Sequence, residues 1–160
     1  MALATWTYRR EQTLKGTPHS MTSRYLLDTN IVSELCKKNP DFGVVDFVSG
    51  LDRFWLSVIT IHELKFGIEL LPIGERRSRL AATVQEFTDS YSAHVIDVNH
   101  VVASLAGEYR AQNRLAGTTL HLADALIAAS SVLQNELVVA TRNISGFSQC
   151  PVELHNPFTV

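Results

Sequence analysis

The 160-residue sequence reads as an α/β protein, with a central, mainly parallel sheet of about five strands and helices on both faces. Short apolar, β-branched stretches are separated by one or two segments of helical periodicity, and parallel neighbours need crossovers of that length. An acid, Asp28, follows the first strand directly, at the edge where functional groups gather in such sheets.

The first strand covers 24–28. "NIVSELCKKN" follows as a short helix and closes at Asn39-Pro40, because proline disfavours helical geometry in the residue before it. "DFGVVDFVSGL" is a second helix, and the aromatic, β-branched "RFWLSVIT" is a strand. "TIHELKFGIELL" sets Ile61, Leu64, Ile68 and Leu71 at helical spacing until Pro72 and Gly74 end it. Residues 75–90 form an amphipathic helix with Arg76, Arg77 and Arg79 at one basic end. "HVIDV" is the third strand. Helices at about 99–115 and 120–134 lie on either side of Gly117, and "ELVVAT" and "PVELHN" complete the sheet. Residues 1–22 have neither helical nor strand periodicity and read as a flexible N-terminal extension with no role in the fold; one domain spans 23–160.

A net charge of -2 and a pI near 6.3 give no overall basic field, so any nucleic-acid contact has to come from a local patch. Cys36 and Cys150 lack metal-like spacing and suit reduced thiols in a cytoplasmic protein. No apolar run approaches the about 20 residues of a spanning helix, which argues against a membrane partner.

Three acids occupy unusual settings. Asp28 can cap the helix that follows, yet Thr29 and Asn30 could cap it equally well, which leaves its carboxylate for another use. Glu63 shares a helical face with Ile59, Phe66, Gly67 and Leu70, and Gly67 suggests close approach one turn further on. Asp124 shares a face with Leu120, Ile127, Ala128 and Ser131 and so points toward packed interior, where it needs a metal or an arginine such as Arg114 or Arg142. Converging carboxylates repel one another unless a cation neutralises them, and hard oxygen donors select Mg²⁺ or Mn²⁺. Such a site suits phosphodiester hydrolysis. His62 and His121 offer a general-base alternative, while Arg76, Arg77 and Arg79 form either a phosphate contact or a solvated face.

The ordered pieces "YLLDTNIVSEL", "LSVITIHELKFGIELL", "HLADALIAAS", "VVATRN" and "HNPF" resemble PIN-domain proteins over roughly residues 24–158. The resemblance is closest to the ribonuclease toxins of bacterial type II toxin-antitoxin modules, the VapC and FitB kind. It implies an α/β/α sandwich and a Mg²⁺- or Mn²⁺-dependent endoribonuclease acting on RNA. It also implies a homodimer and a cognate antitoxin, with DNA reached only indirectly through that antitoxin. Residue by residue it makes Asp28, Glu63 and Asp124 the catalytic, metal-binding acids, with Thr29, Asn30, Thr141, Arg142 and Asn143 in support. A fourth acid often found after the penultimate strand is missing: "TRNISGFS" has Asn143, Ser145 and Gly146 there, and Asn143 could offer a neutral carbonyl or orient a water. That departure leaves an alternative, a catalytically weakened binding module acting mainly in an antitoxin complex on DNA.

Overall fold

The computed structural model describes residues 24–134, 136–147 and 149–159, so the N-terminal extension read at 1–22 lies outside it. In chain order the elements are β1 (Tyr25–Leu27), α1 (Thr29–Leu35), α2 (Phe42–Ser49), β2 (Phe54–Ser57), α3 (Val58–Glu69) and α4 (Glu75–Ser90). Then come β3 (Val95–Ile96), α5 (His100–Leu115), α6 (Leu122–Leu133), β4 (Val138–Ala140) and β5 (Leu154–His155), with short 3-10 turns at Ser92–His94 and Ile144–Phe147.

The strands form one five-stranded sheet in the order β3-β2-β1-β4-β5, and every pairing is parallel. The chain builds outward from β1 through β2 to β3 and then returns to the other side of β1 for β4. The seam between β1 and β4 is therefore the topological switch point, where a crevice opens beyond the carboxyl ends of the strands. Tyr25 pairs with Val138, Leu26 with Val139 and Leu27 with Ala140, so the next residues on each side, Asp28 and Thr141, leave the sheet side by side.

The central strand β1 is apolar and buried throughout because both faces of the sheet are covered there. Tyr25 and Leu27 of β1, with Phe54 and Leu56 of β2, pack under α1 to α4 against Ile31, Val44, Leu64 and Phe87. Leu26 and Val139 face the opposite way and pack under α5 and α6 against Val102, Ala106, Ile127 and Ala128. This period of two in β1 divides two cores across a single sheet.

The largest departure from the sequence pattern is at β2. Strand pairing stops at Ser57, and the β-branched run Val58-Ile59-Thr60 opens α3 instead of extending the strand. The Ser57 hydroxyl caps α3 by accepting from the Ile59 N–H at 3.2 Å, and the buried Thr60 hydroxyl donates to the Leu27 carbonyl at 3.3 Å. Capping and tertiary packing outweigh the modest helix-propensity penalty of these residues. Arg77 is also committed within the fold: it pairs with Glu69 and donates to the Leu71 carbonyl at 3.4 Å, closing the turn between α3 and α4. Glu69 in turn takes Lys65, the expected i,i+4 partner, at 3.0 Å.

Two expectations about Glu63's helix fail. Phe66 and Leu70 are 59% and 69% exposed, so the face that Glu63 shares with them is not buried in the core. A Cβ built at Gly67 would meet nothing within 4 Å, so no close approach requires a glycine there within this chain.

Candidate active site

Each of the three acids is set by the local logic of its helix. Asp28 is the N-cap of α1, where its Oδ1 accepts the Thr29 N–H at 2.7 Å, and it is only 4% exposed. Glu63 lies on the second turn of α3. Asp124 sits in the first turn of α6, where the helix dipole favours negative charge. Because α6 runs back into β4, its N-terminus lies at the same end of the sheet as the carboxyl ends of β1 and β2.

A hydrogen-bond lattice ties these positions together. Thr141 Oγ1 donates to Asp28 Oδ2 at 2.7 Å and accepts from the Asn143 N–H at 2.9 Å. Asn30 Nδ2 donates to Asp28 Oδ2 at 2.5 Å and to Thr141 Oγ1 at 3.0 Å, while its Oδ1 accepts the Arg142 N–H at 2.9 Å. Thr29 Oγ1 donates to Glu63 Oε2 at 2.5 Å, joining α1 to α3. Asn143 Nδ2 reaches toward Asp124 Oδ2 at 3.5 Å. The supporting residues predicted from sequence are all in this lattice: Thr29, Asn30, Thr141 and Asn143 through their side chains, and Arg142 through its backbone.

Negative charge in the site is only weakly offset. Burial, then the nearby charges of Asp28 and Glu63, push the Asp124 carboxyl up to about 6, with His121 acting weakly the other way. Burial also raises the Asp28 carboxyl, an effect opposed by the donors from Thr141 and Thr29 and reinforced by Glu63. Among the described residues none of the three acids has a Lys or Arg partner. The ion pair considered between Asp124 and Arg142 does not form: the Arg142 guanidinium lies over the Phe158 ring, 4.8 Å from its centroid. Nor is Arg114 paired with Asp124.

The donor set suits a hard divalent ion. All three groups are carboxylates, their neighbours are oriented donors, and Asp28 Oδ1 keeps accepting capacity beyond its one bond from Thr29. Among the described residues no three His, Cys, Asp or Glu side chains stand close enough to form a ready-made cage. The acids are thus an open cluster within electrostatic reach of one another. Such an arrangement is compatible with Mg²⁺, which retains several waters and takes few direct protein ligands.

The sequence matches the PIN domain family over residues 25–150. The chain belongs to that family. Among curated relatives of this PIN domain, the plasmid stability protein StbB of Pseudomonas syringae pv. tomato is 33% identical over 83% of this chain and 97% of its own length. The VapC ribonuclease Y4jK of Sinorhizobium fredii is 31% identical, over 83% of this chain and 96% of its own length. The toxin FitB of Neisseria gonorrhoeae is likewise 31% identical, over 83% and 97%. In three dimensions the crystal structure of FitAcB from Neisseria gonorrhoeae superposes with a TM-score of 0.77 at 29% identity, covering 85% of this chain and 99% of that one.

Of the two roles read for Asn143 in this PIN domain, a carbonyl ligand or the orientation of a water, the structure turns the first away from the acids. The side-chain carbonyl does not face the acids: Oδ1 accepts the Gly146 N–H at 3.2 Å, and the amide nitrogen is turned toward Asp124. Phe158 is the residue near the site that sequence reasoning missed. Its signal, the closing "HNPF", was legible as a motif, but nothing local in it says which arginine the ring will meet.

Proposed function

We propose that this PIN domain is the toxin of a type II toxin-antitoxin module and a Mg²⁺- or Mn²⁺-dependent endoribonuclease, with Asp28, Glu63 and Asp124 as its metal-binding, catalytic acids. One observation carries the reading. Three carboxylates stand at the switch-point end of the sheet, where burial and neighbouring acids raise the proton affinity of Asp124 and Asp28, and among the described residues none of the three has a Lys or Arg partner. Structural acids are ordinarily paired. The kinship to a ribonuclease and a toxin supports the same conclusion.

The bound ion would supply charge stabilisation at the phosphate and a more acidic water. The chain's own residues do the rest. Thr141, Asn30 and the Thr29 N–H hold Asp28 in one orientation, and Thr29 Oγ1 holds Glu63. Without a metal the Asp124 carboxyl is pushed up to about 6 by burial and the neighbouring acids, so at neutral pH it is mostly ionised and available to a cation. Asn143 orients toward Asp124 from the loop after β4.

As a toxin the protein functions in the cytoplasm as a homodimer, held inactive by a cognate antitoxin, and DNA is contacted through that antitoxin. Among the described residues no helix is long and apolar enough to cross a membrane. The neutral Asn143 in place of a fourth acid favours a second reading, a weakened nuclease that works mainly as a binding module in the antitoxin complex.

The purified protein should cut RNA with Mg²⁺ or Mn²⁺, stop on chelation, and lose activity in folded Asp28→Asn and Asp124→Asn variants. Full activity in those variants, or metal-independent cutting, removes the enzyme reading. No cutting of any RNA together with stable antitoxin binding selects the binding module.

A further inference from the structure

We infer that Arg142 receives a backbone phosphate of single-stranded RNA beside the acids, and that the C-terminal segment 156–159 holds its guanidinium in place through the ring of Phe158. This rests on the ribonuclease reading for its substrate, but its geometry is independent of the metal.

Arg142 is anchored at the site. Its N–H donates to Asn30 Oδ1 at 2.9 Å, and Asn30 donates in turn to Asp28 Oδ2 at 2.5 Å, so one side chain separates the arginine backbone from the buried acid. The side chain is exposed, and its guanidinium stands over Phe158 at 4.8 Å. Among the described residues it has no carboxylate partner, although three carboxylates lie at the same end of the sheet. The seat beneath it explains how this is possible. A guanidinium is attracted to an aromatic face, and stacking there leaves the planar N–H fork at its edge free to bind a phosphate through two parallel bonds.

The ring is itself fastened on both sides. The Phe158 backbone N–H donates to Asn156 Oδ1 at 3.1 Å. The next residue, Thr159, gives its N–H to Asp41 Oδ1 at 3.3 Å and its hydroxyl to Asp41 Oδ2 at 2.9 Å, and Asp41 is the N-cap of α2. Pro157 is buried, and its carbonyl lies so near Gly43 that a Cβ there would come within 2.3 Å. The segment is thus a strap tied to α2, with Phe158 at its centre.

This placement answers two electrostatic needs. If Arg142 collapsed onto Asp124 it would cancel the negative charge available to a cation. If no cation stood at the rim, three acids would repel an approaching phosphodiester. An uncharged aromatic seat holds the guanidinium of a residue whose backbone is tied to the site through Asn30, without pairing it to an acid.

The test is binding of a short single-stranded RNA oligonucleotide by fluorescence anisotropy, in EDTA to stop metal-dependent cutting, across a salt series. Arg142→Ala should weaken binding roughly tenfold at low salt and reduce the slope of log K against log salt by about 0.7, one phosphate contact on a single strand. Arg142→Lys, which keeps the charge and loses the fork, should retain the slope and part of the affinity. Phe158→Leu should weaken binding severalfold, and should cost little more when combined with Arg142→Ala, because both act through one group. Unchanged affinity and slope in Arg142→Ala, fully additive losses in the double variant, or no RNA binding by the native protein would overturn the assignment. Arg142-dependent binding in a protein that never cuts RNA with Mg²⁺ or Mn²⁺ would uphold it and overturn the ribonuclease reading alone.

Discussion

The Thr141 hydroxyl, first residue beyond β4, donates to Oδ2 of Asp28, first residue beyond β1, at 2.7 Å across the switch point of the sheet. Residues separated by more than a hundred positions meet because the register of two parallel strands makes them neighbours. That bond also organises Asn30 and Asn143, both of which donate to the same threonine oxygen. Replacing the hydroxyl with a methyl group in Thr141→Val leaves a buried carboxylate one donor short, at a cost of about 1–3 kcal/mol. Denaturant melts should show that loss together with reduced RNA cleavage, while Thr141→Ser should retain most of both. A valine variant as stable and active as the native protein would show that the hydroxyl does not hold Asp28.

Asp124 makes the metal-free protein less stable as pH rises. Its carboxyl titrates near 6 when folded against an ordinary 3.8, so between those values the folded state binds more protons than the unfolded one and stability falls with increasing pH. Asp124→Asn removes the titration. Thermal melts in chelator should show the variant gaining on the native protein from about pH 4 to 6, with a constant advantage above that. Parallel pH profiles would mean that burial and the neighbouring acids do not raise the Asp124 carboxyl.

Asn143 presents an amide where a fourth carboxylate would add charge. Asn143→Asp should tighten Mg²⁺ or Mn²⁺ binding severalfold in calorimetric titration, since the added charge favours a divalent ion. Gly146 is the poorer position for the same purpose, because a Cβ there would approach the Asn143 side chain to 2.1 Å. Isotherms unchanged by Asn143→Asp would count against a metal on that side of the cluster.

Two glycine substitutions should move stability in opposite directions. Gly43→Ala forces a methyl group against the Pro157 carbonyl and displaces the C-terminal strap, costing about 1–3 kcal/mol. Gly67→Ala meets open space inside α3 and should add up to about 1 kcal/mol of helix stability. Differential scanning calorimetry reads both. A stabilising Gly43→Ala would mean that the strap is not tightly seated, and a destabilising Gly67→Ala would point to a partner packed on that exposed face.

Asp124 was legible because burial left a local mark: Leu120, Ile127, Ala128 and Ser131 surround it at helical offsets, and all four are buried. Glu63 was identified by similar neighbours, yet Phe66 and Leu70 stand in solvent, and the glutamate is oriented by Thr29 on another helix. Hydrophobic periodicity marks a face without saying what covers it.

Periodicity and the alternation of elements by themselves determined the α/β class, five strands and six helices, and marked Asp28, Glu63 and Asp124 as acids in unusual settings, because each depends on short-range spacing. Only the tertiary structure decided that α3 begins at Val58, that Arg142 turns to Phe158 instead of Asp124, and that Asn143 directs its amide nitrogen inward. Those outcomes depend on which side chains sheet register and a terminal strap bring within a few ångströms. Such contacts span more than a hundred positions of chain, 118 between Asp41 and Thr159, and no local pattern encodes them.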